Sequence, residues 1–310
     1  MDYDNCNAIN GPVYVTLFIS FFFIIIHVFF SEKNIFSQFN IFNTNKMIKS
    51  AKPNKIIVFD LDETLGCFTE IGIFWEALEN LYETNLLNDS FYDVIDLFSD
   101  FLRPNILNIL EYVKDKKINN ECDKIMIYTN NQGPKAWVTM ISNYFNHKIG
   151  YKVFDNIIAA FKISGKIIEF NRTSHDKSVE DLIRCTRISP NTEICFIDDQ
   201  YHPLMNMDNV YYINVKPYIY SMPYEEMAEK YYKRHKDTIK VKKEEFINFI
   251  INFMKQYNYP VKHKSQDETD LDKIVSKKIV IHLEEFFKKE KKQNTRKRKI
   301  VKNRLTKRKL

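Results

Sequence analysis

The segment from Ile56 to Asp62 constrains the fold of this chain more than any other. Four consecutive apolar residues, Ile56 to Phe59, stand directly before Asp60, and Asp62 and Thr64 follow at intervals of two residues. An uninterrupted apolar run that is rich in β-branched and aromatic residues predicts a strand buried on both faces of a sheet. The acidic residues then lie at the carboxyl end of that strand, which is where open α/β sheets bind ligands.

The spacing of Asp60 and Asp62 predicts that both carboxylates face one site, because side chains two apart on an extended chain point the same way. Two neighbouring carboxylates repel each other, and a divalent cation is the usual compensation. A purely structural interpretation stays open. In that interpretation the strand leads into a helix, and Asp62 or Thr64 is its N-cap.

Two further apolar strands also end in polar residues. The first is followed by Thr129 and Asn130, and the second, which begins at Glu193, by Asp198 and Asp199. Between them, Lys177 opens an amphipathic helix. Alternating strands and helices predict an α/β fold, with a Rossmann-like, mainly parallel sheet and helices on both of its faces.

The rest of the chain predicts additional helices and two more strands. A small helical insertion follows the first motif and would form a cap or lid near the site, and extra helices follow the sheet domain. Their apolar stripes indicate packing against the core rather than partner binding. The predicted helices cover residues 73–87, 91–102, a segment that starts near 104, 135–145, 224–256 and 271–290; the predicted strands cover 154–160 and 209–215.

The order of these motifs resembles that of the haloacid dehalogenase-like superfamily of phosphotransferases. Asp60-Leu-Asp62-Glu-Thr64-Leu, with Phe101-Leu-Arg103-Pro104 downstream, is most similar to its carboxy-terminal-domain (CTD) phosphatase branch, the proteins like the NLI-interacting factor. That branch dephosphorylates serines, typically in the repeat tail of RNA polymerase II, and members also occur in large DNA viruses. The resemblance extends over roughly residues 54–220.

The resemblance implies a chemical role for each matching position. Asp60 would attack phosphorus and form an aspartyl-phosphate, as carboxylates do in other enzymes. Asp62 would protonate the leaving oxygen and then activate the water that hydrolyses the intermediate. Phosphoryl oxygens would be bound by Thr129, Asn130 and Lys177.

The same resemblance implies a Mg²⁺ cofactor. The ion would be held by Asp60, the backbone carbonyl of Asp62, and Asp198 or Asp199, since oxygen ligands suit this ion. The implied function is a Mg²⁺-dependent phosphatase, most closely a protein serine/threonine phosphatase whose substrate is a phosphoprotein such as a polymerase-tail-like sequence. The alternatives are a phosphatase of a small metabolite or of a nucleic-acid 3′ end, and a catalytically silent, membrane-anchored scaffold.

Several of these positions have other interpretations. Thr129 could cap the helix that follows it, and Lys162 and Lys166 compete with Lys177 for the phosphate-binding role. Asp198 and Asp199 could form only a turn, since acidic residues favour turns. The segment from Asp198 to Pro203, Asp-Asp-Gln-Tyr-His-Pro, departs from the Asp-Asn-Ser-Pro pattern of many relatives, so the substrate contacts would differ there.

Other chemistries lack their required residues. None of the five Cys has an Arg six residues later, as a cysteine phosphatase needs, and neither a P-loop nor a Gly-x-Gly-x-x-Gly loop is present. No two Cys form a C-x-x-C pair, which disfavours a thiolate zinc site. The scattered thiols favour a reducing compartment.

The amino-terminal part contains a candidate membrane anchor. Residues 13–30 are uncharged and mostly apolar, a length that just spans a bilayer. Several Lys follow, from Lys33 to Lys55, and the positive-inside rule would place the catalytic part in the cytosol. The alternative is that translation starts at Met47, and that the protein is then cytoplasmic or nuclear.

Charge and composition complete the predicted domain organisation. Residues 288–310 contain nine Lys and four Arg against one Glu, a net charge of +12, so the rest of the chain is mildly acidic. This tail is predicted to be disordered and to contact nucleic acid or anionic lipid, or to have no partner. The predicted domains are an N-terminal segment at 1–46, a phosphatase domain at 47–240, a helical extension at 241–290 and the basic tail at 291–310.

Overall fold

The computed structural model describes residues 54–82 and 88–306, with side chains as far as Lys288 except at 88, 89 and 135. The predicted anchor at 13–30 and the whole segment 1–46 lie outside these residues. Among the helices that are described, none has an apolar stretch long enough to cross a bilayer. Membrane attachment, cellular location and contacts of the basic tail therefore stay predictions.

Five parallel strands form the sheet that the sequence predicts. The strand that contains the first motif is central, and the strands that precede Thr129 and Asp199 lie on either side of it. In chain order the strands are β1 (Lys55–Phe59), β2 (Lys124–Tyr128), β3 (Asn156–Ile158), β4 (Lys162–Ile163), β5 (Lys166–Ile167), β6 (Glu193–Asp198) and β7 (Val210–Asn214). The sheet order is β3–β2–β1–β6–β7, while β4 and β5 form a separate antiparallel hairpin.

The central strand β1 is buried along its whole length, as its unbroken apolar sequence predicts. Ile57 and Phe59 face a large apolar core on one side of the sheet, and Ile56 and Val58 face a smaller one on the other side. Since alternate residues of a strand point to opposite faces, both faces are covered by helices.

Eight helices surround the sheet in the described part of the chain. They are α1 (Thr69–Tyr82), α2 (Asn88–Leu97), α3 (Ile106–Ile118), α4 (Lys135–Ile149), α5 (Val179–Thr186), α6 (Tyr224–His235), α7 (Lys243–Lys255) and α8 (Gln266–Thr306). Short 3₁₀ turns at Ser99–Phe101 and Pro203–Met205 complete the path. The α/β architecture with helices on both faces of a parallel sheet is therefore confirmed.

Some helix boundaries differ from those predicted. The predicted helix 224–256 is two helices, because residues 236–242 between α6 and α7 include Thr238, Ile239 and Val241, whose β-branched side chains have low helix propensity. The predicted helix 91–102 ends at Leu97 and continues as a 3₁₀ turn. The last helix runs to Thr306 and so differs from the predicted disorder after residue 290. Lys and Arg, which are frequent there, are good helix formers.

The inserted helices α1 and α2 belong to the main core rather than to a separate cap. Phe74 and Trp75 of α1 are buried, and Trp75 and Trp137 each pack edge-on against Phe91 of α2 at ring distances of 5.2 Å. The apolar stripe of α7 is buried against the same core, as its spacing predicts. The insertion is thus held in place beside the loop that follows β2.

Glu70, in the first turn of α1, is a fully buried carboxyl group. One of its oxygens accepts the N–H of Met222 at 3.1 Å, and the other has no hydrogen-bond partner among the described residues. The phenol groups of Tyr220, Tyr224 and Tyr259 lie nearby. Burial raises the pKa of Glu70 to about 7.

We expect Glu70→Gln to remove part of the pH dependence of folding stability. The folded state keeps the Glu70 proton up to a pH of about 7, whereas the unfolded chain loses it near 4.5, so the free energy of unfolding falls between these values. The full loss amounts to about 3 kcal/mol. Urea unfolding of both proteins at pH 5 and pH 8 measures it. If the free energy of unfolding changes equally between pH 5 and pH 8 in both proteins, the raised pKa of Glu70 is contradicted.

Candidate functional site

The carboxyl ends of β1 and β6 bring two buried acids together. The backbone N–H of Asp60 donates to the carbonyl of Ile197 at 2.9 Å, which continues the pairing of the two strands by one residue. Asp198 is the last residue of β6 and is completely buried. The side chains of Asp60 and Asp198 therefore meet at the edge of the sheet where the sequence places them.

Asp199 completes a group of three acids that could hold a metal ion. Asp60, Asp198 and Asp199 each offer one carboxylate oxygen, and these oxygens lie within 4.8 Å of one another. The carboxylate of Asp62 is not part of this group; the role predicted for Asp62 involves its backbone carbonyl and stays a prediction. Acids separated by 138 residues of sequence thus converge on a volume that one cation could fill.

Lys177 bridges the two deepest acids of this group. Its ammonium donates to Oδ1 of Asp60 at 2.5 Å and to Oδ2 of Asp198 at 2.7 Å, and its side chain is almost completely buried. Ser178 caps α5 by accepting the N–H of Asp181, which fixes the backbone next to Lys177. The competing residues Lys162 and Lys166 lie instead on the β4–β5 hairpin.

The electrostatics of the group indicate an excess of negative charge. Burial raises the pKa of Asp60, and it raises the pKa of Asp199 to about 7 with a further contribution from the charge of Asp60. Burial acts in the same direction on Asp198, but hydrogen bonds from His202 and Lys177 hold its pKa below the usual value. One lysine does not neutralise three clustered carboxylates, two of them buried, so a cation would be favoured here.

Asp62 is held by an amide rather than by a cation. Asn131 donates from Nδ2 to Oδ2 of Asp62 at 2.7 Å, and the Oδ1 of Asn131 in turn accepts the N–H of Gly133, which fixes the orientation of the amide. The second oxygen of Asp62 is buried without a hydrogen-bond partner in the described structure. Burial raises the pKa of Asp62 to about 7, so this carboxyl group can carry a proton near neutral pH.

Thr129 does not cap the helix that follows it. Its buried hydroxyl oxygen accepts the N–H of Asn131 at 3.0 Å, while α4 begins after Pro134 without a side-chain cap. Similarly, neither Asp62 nor Thr64 caps α1, which begins only at Thr69. Thr64 instead donates from its hydroxyl to Oδ1 of Asp199 at 3.0 Å and accepts the N–H of that residue. The structural alternatives for these positions are therefore wrong.

Arg172 supports the loop after β2 and was not predicted from the sequence. Its buried guanidinium donates to the carbonyls of Thr129 and Ala159 and to Oδ1 of Asn130, at 2.8 to 3.1 Å, and stacks over the ring of Tyr128. Arg172 lies in an irregular segment between β5 and α5, so neither periodicity nor strand context marks it. Its supporting role is visible only in the folded structure.

Arg103 supports the loop after β1 in the same manner. The guanidinium donates from Nε to the carbonyl of Thr64 at 2.5 Å, and from Nη2 to the carbonyls of Glu63 and Lys216 at 2.6 and 2.9 Å. Phe101-Leu-Arg103-Pro104 supported the family resemblance, but the sequence did not predict this role. Two buried arginines thus fix the backbones that carry Asp62, Thr64 and Thr129.

The two histidines near the site have different positions. Nε2 of His202 lies 3.4 Å from Oδ2 of Asp198, so His202 contacts one of the three acids. The ring of His175 packs edge-on against Phe161, and its backbone carbonyl accepts from Arg172. The turn that the sequence offers as an alternative at Asp198 is also present, because Oδ1 of Asp198 accepts the N–H of Gln200 at 2.8 Å.

An apolar recess of about 510 Å³ is lined in part by the loop after β2, from Asn131 to Pro134. Asn131, which binds Asp62, forms one end of its wall. Aromatic side chains form much of the rest, from Phe68 just before α1, Trp75 of α1 and Trp137 of α4. Glu76 and Glu79 of α1 also line it. The recess could therefore accommodate the non-reacting part of a molecule bound at the acids.

No protein-family model matches this chain, and no curated protein matches it either. The parallel α/β fold and the buried group of three aspartates, which could bind a metal ion, are established by the structure itself.

Proposed function

We propose that this protein is a Mg²⁺-dependent phosphatase of the haloacid dehalogenase-like type that acts through an aspartyl-phosphate on Asp60. The observation that carries the proposal is the convergence of Asp60, Asp198 and Asp199 around the ammonium of Lys177 at the carboxyl edge of the sheet. The favoured substrate is a phosphoserine or phosphothreonine side chain in a protein.

The donor set suits Mg²⁺ better than a softer metal. All the side-chain donors in the group are carboxylate oxygens, and no Cys or His belongs to it. When bound, Mg²⁺ would neutralise charge on the phosphoryl oxygens and so allow an anionic nucleophile to approach an anionic ester. Burial raises the pKa of Asp60 and of Asp199, and a bound cation would offset this cost of ionising the two carboxylates.

The first chemical step uses Asp60 and Asp62. An oxygen of Asp60 forms a bond to phosphorus as the bond from phosphorus to the ester oxygen breaks. Asp62, protonated near neutral pH, transfers its proton to that departing oxygen. Asn131 keeps the carboxyl group of Asp62 in place. Lys177 holds the oxygen of Asp60 in position and offers positive charge close to the reacting centre.

The second step returns the enzyme to its starting state. Asp62, now a carboxylate, takes a proton from a water molecule, whose oxygen attacks phosphorus while the bond to Asp60 breaks.

Thr129 and Asn130 have donors left for the phosphoryl group. The hydroxyl of Thr129 accepts a backbone N–H, and its own hydrogen is therefore available to a phosphoryl oxygen. The side-chain oxygen of Asn130 is occupied by Arg172, which leaves the amide N–H groups of Asn130 for the phosphate.

The apolar recess favours a protein substrate over a small metabolite. Its wall includes Asn131, whose amide binds Asp62, and we infer that an apolar residue next to a phosphorylated serine enters it while the phosphate is at Asp60. A small polar metabolite would leave this surface unused. Glu76 and Glu79 in the same wall add a preference for basic residues nearby.

Hydrolysis measured on the full chain tests the proposal. We expect release of phosphate from p-nitrophenyl phosphate and from phosphoserine peptides with Mg²⁺, and loss of that activity when EDTA removes the metal. Activity that is unchanged in EDTA would contradict the metal-dependent mechanism. Absence of activity on every ester, with the protein folded by circular dichroism, would favour the scaffold alternative.

We expect Trp137→Ala to separate peptide from small-ester hydrolysis. The indole is only 9% exposed, so its contact with a peptide is worth up to about 1 kcal/mol, and KM for a phosphopeptide with an apolar neighbour should rise roughly two- to fivefold. KM for p-nitrophenyl phosphate should change less than about twofold, since this ester is too small to need the recess. A peptide in which alanine replaces the apolar residue is the matched control. Equal changes for all three substrates would contradict binding in the recess.

A further inference from the structure

A second cavity, of about 710 Å³, lies between the start of α3, the loop 218–221 and the start of α8. Arg103, Lys262, Lys264 and Lys273 line it, against two acids, Asp100 and Asp272. None of the aspartates of the candidate active site lines this cavity. Its size is that of a small-molecule site, and the charge of its lining is positive.

Arg103 is the buried cation of this cavity, and the buried carboxylate beside it, Asp272, is paired with other residues. Asp272 is almost completely buried and is paired with Lys216 at 3.3 Å and with Lys264. Among the described residues, no carboxylate lies within salt-bridge distance of Arg103. The negative charges of Asp272 and Asp199 act on its guanidinium only from farther away. Asp272 is therefore already engaged by two lysines, and Lys273 by Asp270, so the buried charge of Arg103 has no counter-ion in contact, which is unfavourable.

Arg103 has unused hydrogen-bonding capacity as well as unused charge. Its guanidinium is 1% exposed, and Nη1 has no hydrogen-bond partner in the described part of the chain. Nε and Nη2 donate only to backbone carbonyls, which do not neutralise the cation. Arg103 thus lines the cavity with one buried guanidinium nitrogen unpaired, and a guanidinium in that state is suited to an anion.

The amino terminus of α3 adds a third feature. Residues 104–108, which include the first turn of this 13-residue helix, form part of the cavity wall. The helix has no side-chain cap and no acidic residue in its first turn, because Oδ1 of Asn105 accepts from the side chain of Asn108 instead. The partial positive charge of the helix end is therefore directed at the same volume and is not neutralised.

We propose that this cavity binds a small molecule that carries a phosphate group, held by Arg103, Lys262, Lys273 and the amino terminus of α3. This site is separate from the one proposed for catalysis. Hydrogen bonds from Arg103 connect the two sites, since its guanidinium donates to the carbonyls of Glu63 and Thr64 next to Asp62.

Phosphate binding to the full chain in EDTA tests this site without any need for catalysis. Equilibrium dialysis with radiolabelled inorganic phosphate, at an ionic strength fixed with sodium chloride, should give saturable binding. It should also raise the thermal midpoint, because the ligand binds the folded state. Without metal, the excess of carboxylates at the candidate active site repels phosphate. An absence of saturable binding would overturn the proposal.

Matched charge reversals locate the bound phosphate. The exposed pair K262E/K273E should weaken binding by about tenfold or more, whereas K277E/K278E, exposed on the same helix but outside the cavity, should bind as the wild type does. Equal losses in both double variants would indicate binding to general surface charge and overturn the proposal. Phosphate binding that changes in Asp60→Asn but not in K262E/K273E would also overturn the proposal.

Discussion

Replacing Asp60 with asparagine is expected to lower kcat for phosphate-ester hydrolysis by about four orders of magnitude or more. An amide is a poor nucleophile, so the covalent step at phosphorus is lost. The fold should persist, because Asn has almost the same shape and Lys177 keeps Asp198 as a partner. Burial raises the pKa of Asp60, so removing its charge should not destabilise the metal-free protein.

The measurement compares Asp60→Asn with Asp123→Asn, which makes the same substitution at an exposed position directly before β2, at the other end of the sheet. We expect Asp123→Asn to retain wild-type kcat. Thermal unfolding of all three proteins, with Mg²⁺ and with EDTA, checks that each is folded. Stabilisation by Mg²⁺ should be smaller in Asp60→Asn, since one candidate ligand is lost. Full activity in Asp60→Asn would exclude this residue as the nucleophile.

The strands that carry the site were predictable because each combines two strong local signals. β1, β2 and β6 are unbroken apolar runs, and each is followed at once by polar residues. Since parallel strands align their carboxyl ends at one edge, convergence of Asp60 and Asp198 follows from the strand assignment alone. The position of Lys177 was also predictable, because Ser178 and the apolar spacing of α5 mark the start of a helix.

The supporting residues could not be predicted, because their roles depend on tertiary contacts. Arg103 and Arg172 bind backbone carbonyls, and carbonyls are present at every residue, so no spacing in the sequence identifies the partner. Asn131 had no predicted role, because its contact with Asp62 joins residues 69 positions apart. The phosphate-binding cavity depends likewise on segments that are distant in sequence.

Replacing Lys177 with alanine is expected to destabilise the metal-free protein by about 3–5 kcal/mol. The ammonium of Lys177 is the only lysine nitrogen in salt-bridge contact with Asp60 and Asp198 among the described residues, and both carboxylates are buried. Without it, two neighbouring charges lose their counter-ion inside the protein. Mg²⁺ binds to the folded state and compensates part of this charge, so it should stabilise Lys177→Ala more than the wild type.

Urea unfolding with EDTA and with saturating Mg²⁺ measures both effects. Lys162→Ala is the matched control, since Lys162 was the competing candidate and lies on the β4–β5 hairpin; its free energy of unfolding should change by less than about 0.5 kcal/mol. Lys177→Ala should also lose most of its hydrolytic activity, even where Mg²⁺ restores the fold, because the charge next to Asp60 is missing. If Mg²⁺ stabilises Lys177→Ala no more than it stabilises the wild type, the ion does not share the charge of this cluster, and the metal site must lie elsewhere.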